Sequence, residues 1–207
     1  ASLWMPQALR IERFLFLKAD RLIAVSPGWR DGLFKKGVNP DKIQVVPIGF
    51  EPAIFDAADW DLDVRTEHGL GNAVVVLYAG IMGHVPDLIT LLKAAYGFRL
   101  KPEIQFVLIG TGQRKQEYEE FCAENGMKNC RFLGVMERKM IPVFCKSADA
   151  CVNLFRKGDL GASILGSKTF DYMASGTPLV YAGDGEGTAT LLRESEGGIV
   201  VPAEDVE

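Results

Sequence analysis

With 207 residues, 48% of them hydrophobic and 24% charged, the chain has room for one full domain and part of a second around a sizeable core. Its formal charge of -4, from 23 basic and 27 acidic side chains, and its lack of a Lys/Arg run argue against a nucleic-acid partner. A phosphorylated small ligand stays open, because backbone amides bind one without net positive charge.

Taken in chain order, the stretch from Leu3 to Leu17 mixes apolar residues with Arg10, Glu12 and Arg13. It is read as a helix packed on a core in preference to one lying on a membrane. The sequence starts without Met and in mid-pattern, which reads as a fragment. No signal-peptide pattern and no apolar run of spanning length occurs in it. A strand at Leu22–Val25, a helix over Gly28–Lys36 and a strand at Ile43–Val46 follow. The Pro- and acid-rich stretch from Pro47 to about Asp63 then reads as a connector or hinge.

From Val74 onward, short Val- and Ile-rich runs recur at Val74–Ala79, Ile104–Ile109, Cys130–Leu133, Ala150–Leu154, Pro178–Ala182 and Gly198–Val201. Between them lie helically spaced sets: Leu88, Leu91, Leu92 and Ala95; Tyr118, Phe121 and Cys122; Phe170, Met173 and Ala174. This alternation predicts an α/β fold, a doubly wound parallel sheet covered on both faces. The cysteines (Cys122, Cys130, Cys145, Cys151) are not paired as C-x-x-C, and only His68 and His84 could complete a metal site. No metal is therefore expected, and the thiols are read as free and buried in a reducing cytoplasm.

In an open parallel sheet the ligand lies beyond the carboxyl ends of the strands. The loops there read Gly80-Ile-Met-Gly83-His84, Gly110-Thr-Gly112-Gln-Arg114-Lys115, Gly134-Val135-Met136-Glu-Arg138, Phe155 to Gly166 with Arg156 and Lys157, and Gly183-Asp-Gly185-Glu-Gly187. Glycines at these ends admit close approach of a ligand and leave amides free to donate, although any one of them could serve only a tight turn. The first turn lacks G-x-G-x-x-G, so a dinucleotide dehydrogenase is not indicated. The segment Gly161 to Lys168 misses a P-loop by the order of Ser167 and Lys168. It still opens a helix, with Ser167 as expected N-cap and Ser167, Lys168, Asp171 and Ser175 on one polar face. Free amides and the helix dipole make that end a seat for a diphosphate. Asp171 could equally be a solvated acid paired with Lys168.

These residues resemble a known family. Ala19-Asp20-Arg21-Leu22-Ile23-Ala24-Val25-Ser26 and Lys42 to Phe50 are similar to the end of the first domain and the hinge of family-four (group-one) glycosyltransferases of the GT-B fold. Tyr78-Ala79-Gly80, Phe106 to Gly112 and Phe132-Leu133-Gly134 are similar to their donor domain. Ser167-Lys168-Thr169-Phe170-Asp171-Tyr172-Met173-Ala174-Ser175-Gly176-Thr177-Pro178 resembles S-K-x-F-E-Y-M-A-x-G-x-P, a pattern of enzymes that add amino sugars to bacterial surface polysaccharides. The resemblance implies that residues 1–47 end an acceptor-side Rossmann-like domain, 48–72 form the hinge and 73–207 bind the nucleotide sugar, with the C-terminal end truncated.

It also implies a retaining transfer from a nucleotide-diphosphate sugar, UDP-linked, to a glycan or lipid-linked acceptor, with no further cofactor. The setting would be the cytoplasm at the inner face of the cell membrane, with peripheral contact through the missing N-terminal domain. Asp171 would hold the ribose, Gly134, Val135 and Met136 the base, and Gly166, Ser167 and Lys168 the diphosphate. Gly80, Gly83 and His84 would face sugar and phosphates, with Gly112, Arg114 and Ser163 completing the donor set and Lys168 and His84 the catalytic candidates. The sequence departs from the family at Ser163, where an acid is usual, at Ile48 in place of the hinge asparagine, and between Ile81 and Asp87, where an Arg and a Lys are missing. Arg114, Lys157 and Lys168 are the candidates to supply that charge. The competing readings are a nucleotide-sugar 2-epimerase of the same fold, which would need acid–base groups such as His84, and a non-catalytic nucleotide-binding or scaffold module.

Overall fold

The computed structural model describes residues 4–158 and 166–206. Two parallel sheets organise it. The first is small: β1 (Leu22–Ala24) pairs with β2 (Ile43–Val45), flanked by α1 (Met5–Lys18) and α2 (Pro27–Lys35). Ser26 caps α2 by accepting from the Trp29 amide at 3.2 Å, and Pro27 supplies the preset first turn. Ala24, Leu33, Val38 and Ile43 form a compact core that Phe16 joins from α1.

The expectation that the first helix packs on a core is met only thinly, through Phe16. No residue of α1 is buried, and Trp4, Met5, Leu9, Ile11, Phe14 and Leu15 are all exposed. Apart from Phe16, the helix is tethered by Glu12, which accepts from Lys36 Nζ at 2.7 Å.

Within the stretch 48–72, composition conceals structure. α3 (Pro52–Asp56) and α4 (Val64–Glu67) lie there, and Val64 and Leu70 sink into the core of the larger unit. Arg65 fixes α4 by donating to Ser147 O at 2.7 Å, Ala73 O at 2.9 Å and the Asp149 carboxylate at 2.7 Å.

The larger sheet contains β3 (Val74–Ala79), β4 (Ile104–Ile109), β5 (Cys130–Gly134), β6 (Ala150–Leu154), β7 (Leu179–Ala182) and β8 (Gly198–Val201) in the order β5-β4-β3-β6-β7-β8, all parallel. Both faces are covered, which is why its strands are apolar almost throughout. The period of two divides them: Val75, Leu77, Val107 and Ile109 enter one core with Phe144, Tyr172 and Leu179. Tyr78, Phe106 and Leu108 enter the other with Leu88, Leu91, Leu92, Ala95, Tyr118 and Cys122. The latter six come from α5 (Leu88–Gly97) and α6 (Lys115–Glu124), on the helical spacing read from the sequence. α7 (Ile141–Ser147), α8 (Ser167–Ala174) and α9 (Glu186–Ser195) complete the helices. α9 packs against α2, joining the two units.

Helix α8 corrects two sequence expectations. Its N-cap is Gly166, in extended conformation, so Ser167 is the first helical residue and not the cap. Its buried face is Thr169 and Tyr172; Phe170 and Met173 are half-buried and Ala174 is exposed. Hydroxyls bring this about. Tyr172 Oη accepts from Ala79 N at 2.9 Å and donates to Ala79 O at 3.1 Å, while Thr169 Oγ1 accepts from Asn153 Nδ2 at 3.0 Å. Both hydroxyls have their partners, so Thr169 and Tyr172 occupy buried positions that a hydropathy pattern assigns elsewhere.

A candidate nucleotide-sugar site

Strand order reverses between β3 and β6, where the chain departs to either side and leaves a crevice at the carboxyl ends. A cavity of about 360 Å³ opens there. Its floor is Ala79 and Gly80 from β3 with Ile109 and Gly110 from β4; Val135, Met136, Arg138, Ile141 and Pro142 make one wall. Ser167, Lys168 and Asp171 of α8 make the opposite wall, and Ile54 and Phe55 of α3 lie over it. The floor is tightly built. At Gly110, whose φ is 129°, a Cβ would strike the Gly80 carbonyl. Gly112 lies as close to the backbone of Met82, whose carbonyl also accepts from Arg114 N at 3.0 Å, so the loops after β3 and β4 interlock.

Lys168 is the central cation. Its Nζ donates to Tyr78 Oη at 3.0 Å and lies 4.2 Å from that ring's centroid, while Tyr78 Oη donates to Ile81 O at 2.8 Å. A Cβ on Gly80 would collide with the ammonium, so glycine at position 80 is what lets Lys168 reach the end of β3. Burial pushes the amine down to about 8. One turn along α8, burial raises the Asp171 carboxyl, opposed by the Arg138 charge and reinforced by Glu51. Lys168 and Asp171 form no ion pair, so the reading of Asp171 as a solvated partner of Lys168 does not hold.

The other sequence candidates divide. Gly80, Val135, Met136, Ser167, Lys168 and Asp171 line the cavity. Gly83 and Gly166 line a smaller recess that shares Ile81, Ser167 and Lys168 with it. Gly134 ends β5 at φ 74°, and its carbonyl accepts from Gly110 N at 2.6 Å beneath the cavity wall. Gly112 is a packing position. Arg114 stands outside the cavity: its Nε donates to Glu117 at 2.8 Å and its guanidinium lies 5.2 Å from the Tyr118 ring centroid. His84 is exposed on the loop after β3 and lines neither space. Ser163 lies outside the described residues. Lys157 is exposed, and its amide donates to Glu204 at 3.3 Å.

Arg138 is the charged cavity residue that sequence reasoning missed. It follows β5 in a short 3₁₀ turn and faces Glu51 at 3.5 Å. Its place in the Gly134–Arg138 loop, at a strand end on the ligand side, was the available signal. Two cations, Arg138 and Lys168, thus share the cavity lining with one carboxylate, Asp171, beside the N-terminus of α8. Among the described residues no group of three His, Cys, Asp or Glu is placed to hold a metal, and no helix is long and apolar enough to cross a membrane.

Comparison with known proteins agrees with this architecture. A D-inositol 3-phosphate glycosyltransferase of Acidothermus cellulolyticus is 28% identical over 183 residues, which cover 82% of this chain and 39% of the relative. The crystal structure of Anabaena HepE with UDP and glucose superimposes with a TM-score of 0.80 at 19% identity, over 97% of this chain and 54% of that one. WaaG, a glycosyltransferase of lipopolysaccharide biosynthesis, gives 0.75 at 14% identity over 97% and 55%. The chain thus spans about half the length of these solved structures, and the fold it shares with them is GT-B. The family model for glycosyl transferases group 1 matches residues 73–207, most of the chain, and the protein therefore belongs to the group 1 glycosyl transferases.

Proposed function

We propose that residues 73–207 bind a nucleoside-diphosphate sugar, UDP-linked, for retaining transfer to a glycan or lipid-linked acceptor in bacterial surface-polysaccharide synthesis. The enclosed Lys168 ammonium at the start of α8, facing a cavity at the switch point, carries this reading. The UDP held by the Anabaena relative supports the choice of base. Residues 1–47 then belong to the acceptor-side domain and 48–72 to the hinge, and the enzyme works in the cytoplasm at the inner face of the membrane.

In this reading Lys168, Arg138 and the first amides of α8 meet the diphosphate, Asp171 anchors the ribose, and Val135 and Met136 flank the base. The chemistry asks no nucleophile of this half. The departing diphosphate takes the acceptor's proton on the face where the new bond forms, and the protein stabilises the charge it gains. A well-placed donor contributes about 3–4 kcal/mol to such a step. His84, exposed on the loop after β3, is the candidate to meet sugar or acceptor.

The test is a titration against UDP, GDP and ADP with heteronuclear NMR. Saturable binding of UDP should shift Gly134–Arg138 and Gly166–Asp171. Asp171→Ala should weaken it about 10- to 100-fold, as expected for loss of a charge-assisted hydrogen-bond pair. Undiminished binding by the variant removes the ribose role. Absence of binding by any nucleotide favours the scaffold reading.

A further inference from the structure

The four free cysteines fall into two facing pairs. The Cys122 and Cys130 thiols lie within hydrogen-bonding reach of each other, as do those of Cys145 and Cys151. The backbone assembles the first pair. After α6 the chain reverses at Gly126, whose φ is 63°, and Met127 N donates back to Cys122 O at 2.9 Å. The reversal leads directly into β5, whose first residue is Cys130. Cys122 therefore enters the core between α6 and the sheet from the helix side, and Cys130 packs against that core from the sheet side.

Access separates the two pairs. β5 is an edge strand, and of the four cysteines Cys130 alone is not fully buried. Cys145 and Cys151 are each 0% exposed, where α7 lies on the interior strand β6 beside Tyr172. The first pair is also polarised. The S–H of Cys130 donates to Cys122 and holds that thiol below its ordinary range, while the same bond and burial push Cys130 up. One sulfur is thereby prepared as the thiolate, the form that reacts, and its neighbour keeps its proton.

We infer that Cys122 and Cys130 form an oxidation site, a dithiol that hydrogen peroxide converts to a disulfide and a thiol reductant restores. Cys122, as thiolate, attacks one peroxide oxygen. The O–O bond breaks, and the departing hydroxide takes up the proton that Cys122 released, leaving water and a sulfenic acid. The Cys130 sulfur then attacks the Cys122 sulfur, the S–O bond breaks, and hydroxide leaves with the Cys130 proton as a second water. Two thiols and one peroxide thus give one disulfide and two waters. In a reducing compartment such a bond is transient, as in redox-sensing pairs. The site is separate from the nucleotide cavity, because it lies at the amino end of β5 and the cavity lies at the carboxyl ends of the strands.

The experiment treats the folded protein with a few equivalents of hydrogen peroxide, blocks the remaining thiols with iodoacetamide in denaturant and maps the tryptic peptides by mass. Four free thiols should become two. Peptides 116–128 and 129–131 should be recovered linked, lighter by two hydrogens than their sum, and dithiothreitol should restore all four thiols. Cys145 and Cys151, on peptides 140–146 and 147–156, should remain open to alkylation, any link between them forming at least about tenfold more slowly. In Cys130→Ser the reaction should stop at a sulfenic acid on Cys122 that dimedone traps, and Cys122→Ser should form no link. The parent map decides alone should either variant fail to fold. Survival of all four thiols, a link between any other pair, equal rates for the two pairs, or oxidation beyond sulfenic acid without a link would each overturn the inference.

Discussion

Replacing Lys168 by Met separates what the amine costs the empty protein from what it gives a ligand. Burial brings its pKa from an ordinary 10.5 to about 8. At about 1.4 kcal/mol per tenfold in proton affinity, holding the charge in the empty site costs about 3 kcal/mol. The sign follows from linkage. Between about pH 8 and 10.5 the unfolded chain binds the proton more tightly than the folded one, so the penalty is complete below about pH 8 and disappears as pH rises toward 10.5. Tyr78, whose pKa burial raises, stays neutral through that window. Loss of the bond to Tyr78 Oη returns about 1 kcal/mol of the gain. Lys168→Met should therefore be more stable than the parent by about 1–2 kcal/mol at pH 7, and slightly less stable at pH 10.5. Urea denaturation across pH 6.5–10.5 reads this directly. The same variant should bind UDP about 10- to 100-fold more weakly, and parent affinity should fall as pH rises beyond 8. A variant less stable at pH 7, with a gap independent of pH, would refute the reasoning.

Two further perturbations test the walls. Tyr172→Phe removes the hydroxyl that bonds both Ala79 N and Ala79 O; it should cost about 1–3 kcal/mol in denaturation, with UDP affinity falling as the end of β3 loosens. Arg138→Ala should weaken UDP about tenfold with the melting temperature unchanged, since its exposed pair with Glu51 contributes little to stability; an altered melting point with unaltered affinity would make Arg138 a structural residue.

The strands were legible because a sheet covered on both faces leaves almost continuous apolar runs, and those of the large sheet lie within a residue of where their Val- and Ile-rich segments suggest. Helix α8 was less legible. Hydropathy places Thr169 with the polar residues and Ala174 with the apolar ones, yet Thr169 is buried against Asn153 and Ala174 is exposed. The pattern records transfer preference, and a hydroxyl with a partner waiting has none of the penalty that the preference assumes. Arg114 misled for a related reason: a cation at a strand end reads as ligand-facing until Glu117, one turn away, is seen to hold it. The Arg114–Glu117 pair has the i,i+3 spacing of a helical ion pair and could have been read from it, whereas the Asn153–Thr169 bond joins residues sixteen apart and is invisible to spacing.

The same argument accounts for the loop after β3, which has no Arg or Lys between Ile81 and Asp87. The charge arrives from the other side of the crevice: Lys168 crosses from α8 to the end of β3 and occupies the space that a Cβ on Gly80 would take. Tyr78, Gly80 and Lys168 are then one unit, distant in sequence and mutually dependent in space. Gly80→Ala should displace the ammonium and lower UDP affinity about as much as Lys168→Met does. In a Lys168→Ala background the loss from Gly80→Ala should shrink to what its positive φ and the Tyr78 hydroxyl impose, because the long side chain is gone. Affinities of the four proteins close the cycle. If the two losses add, the glycine and the lysine act separately, and the cation over β3 is not what Gly80 is there to admit.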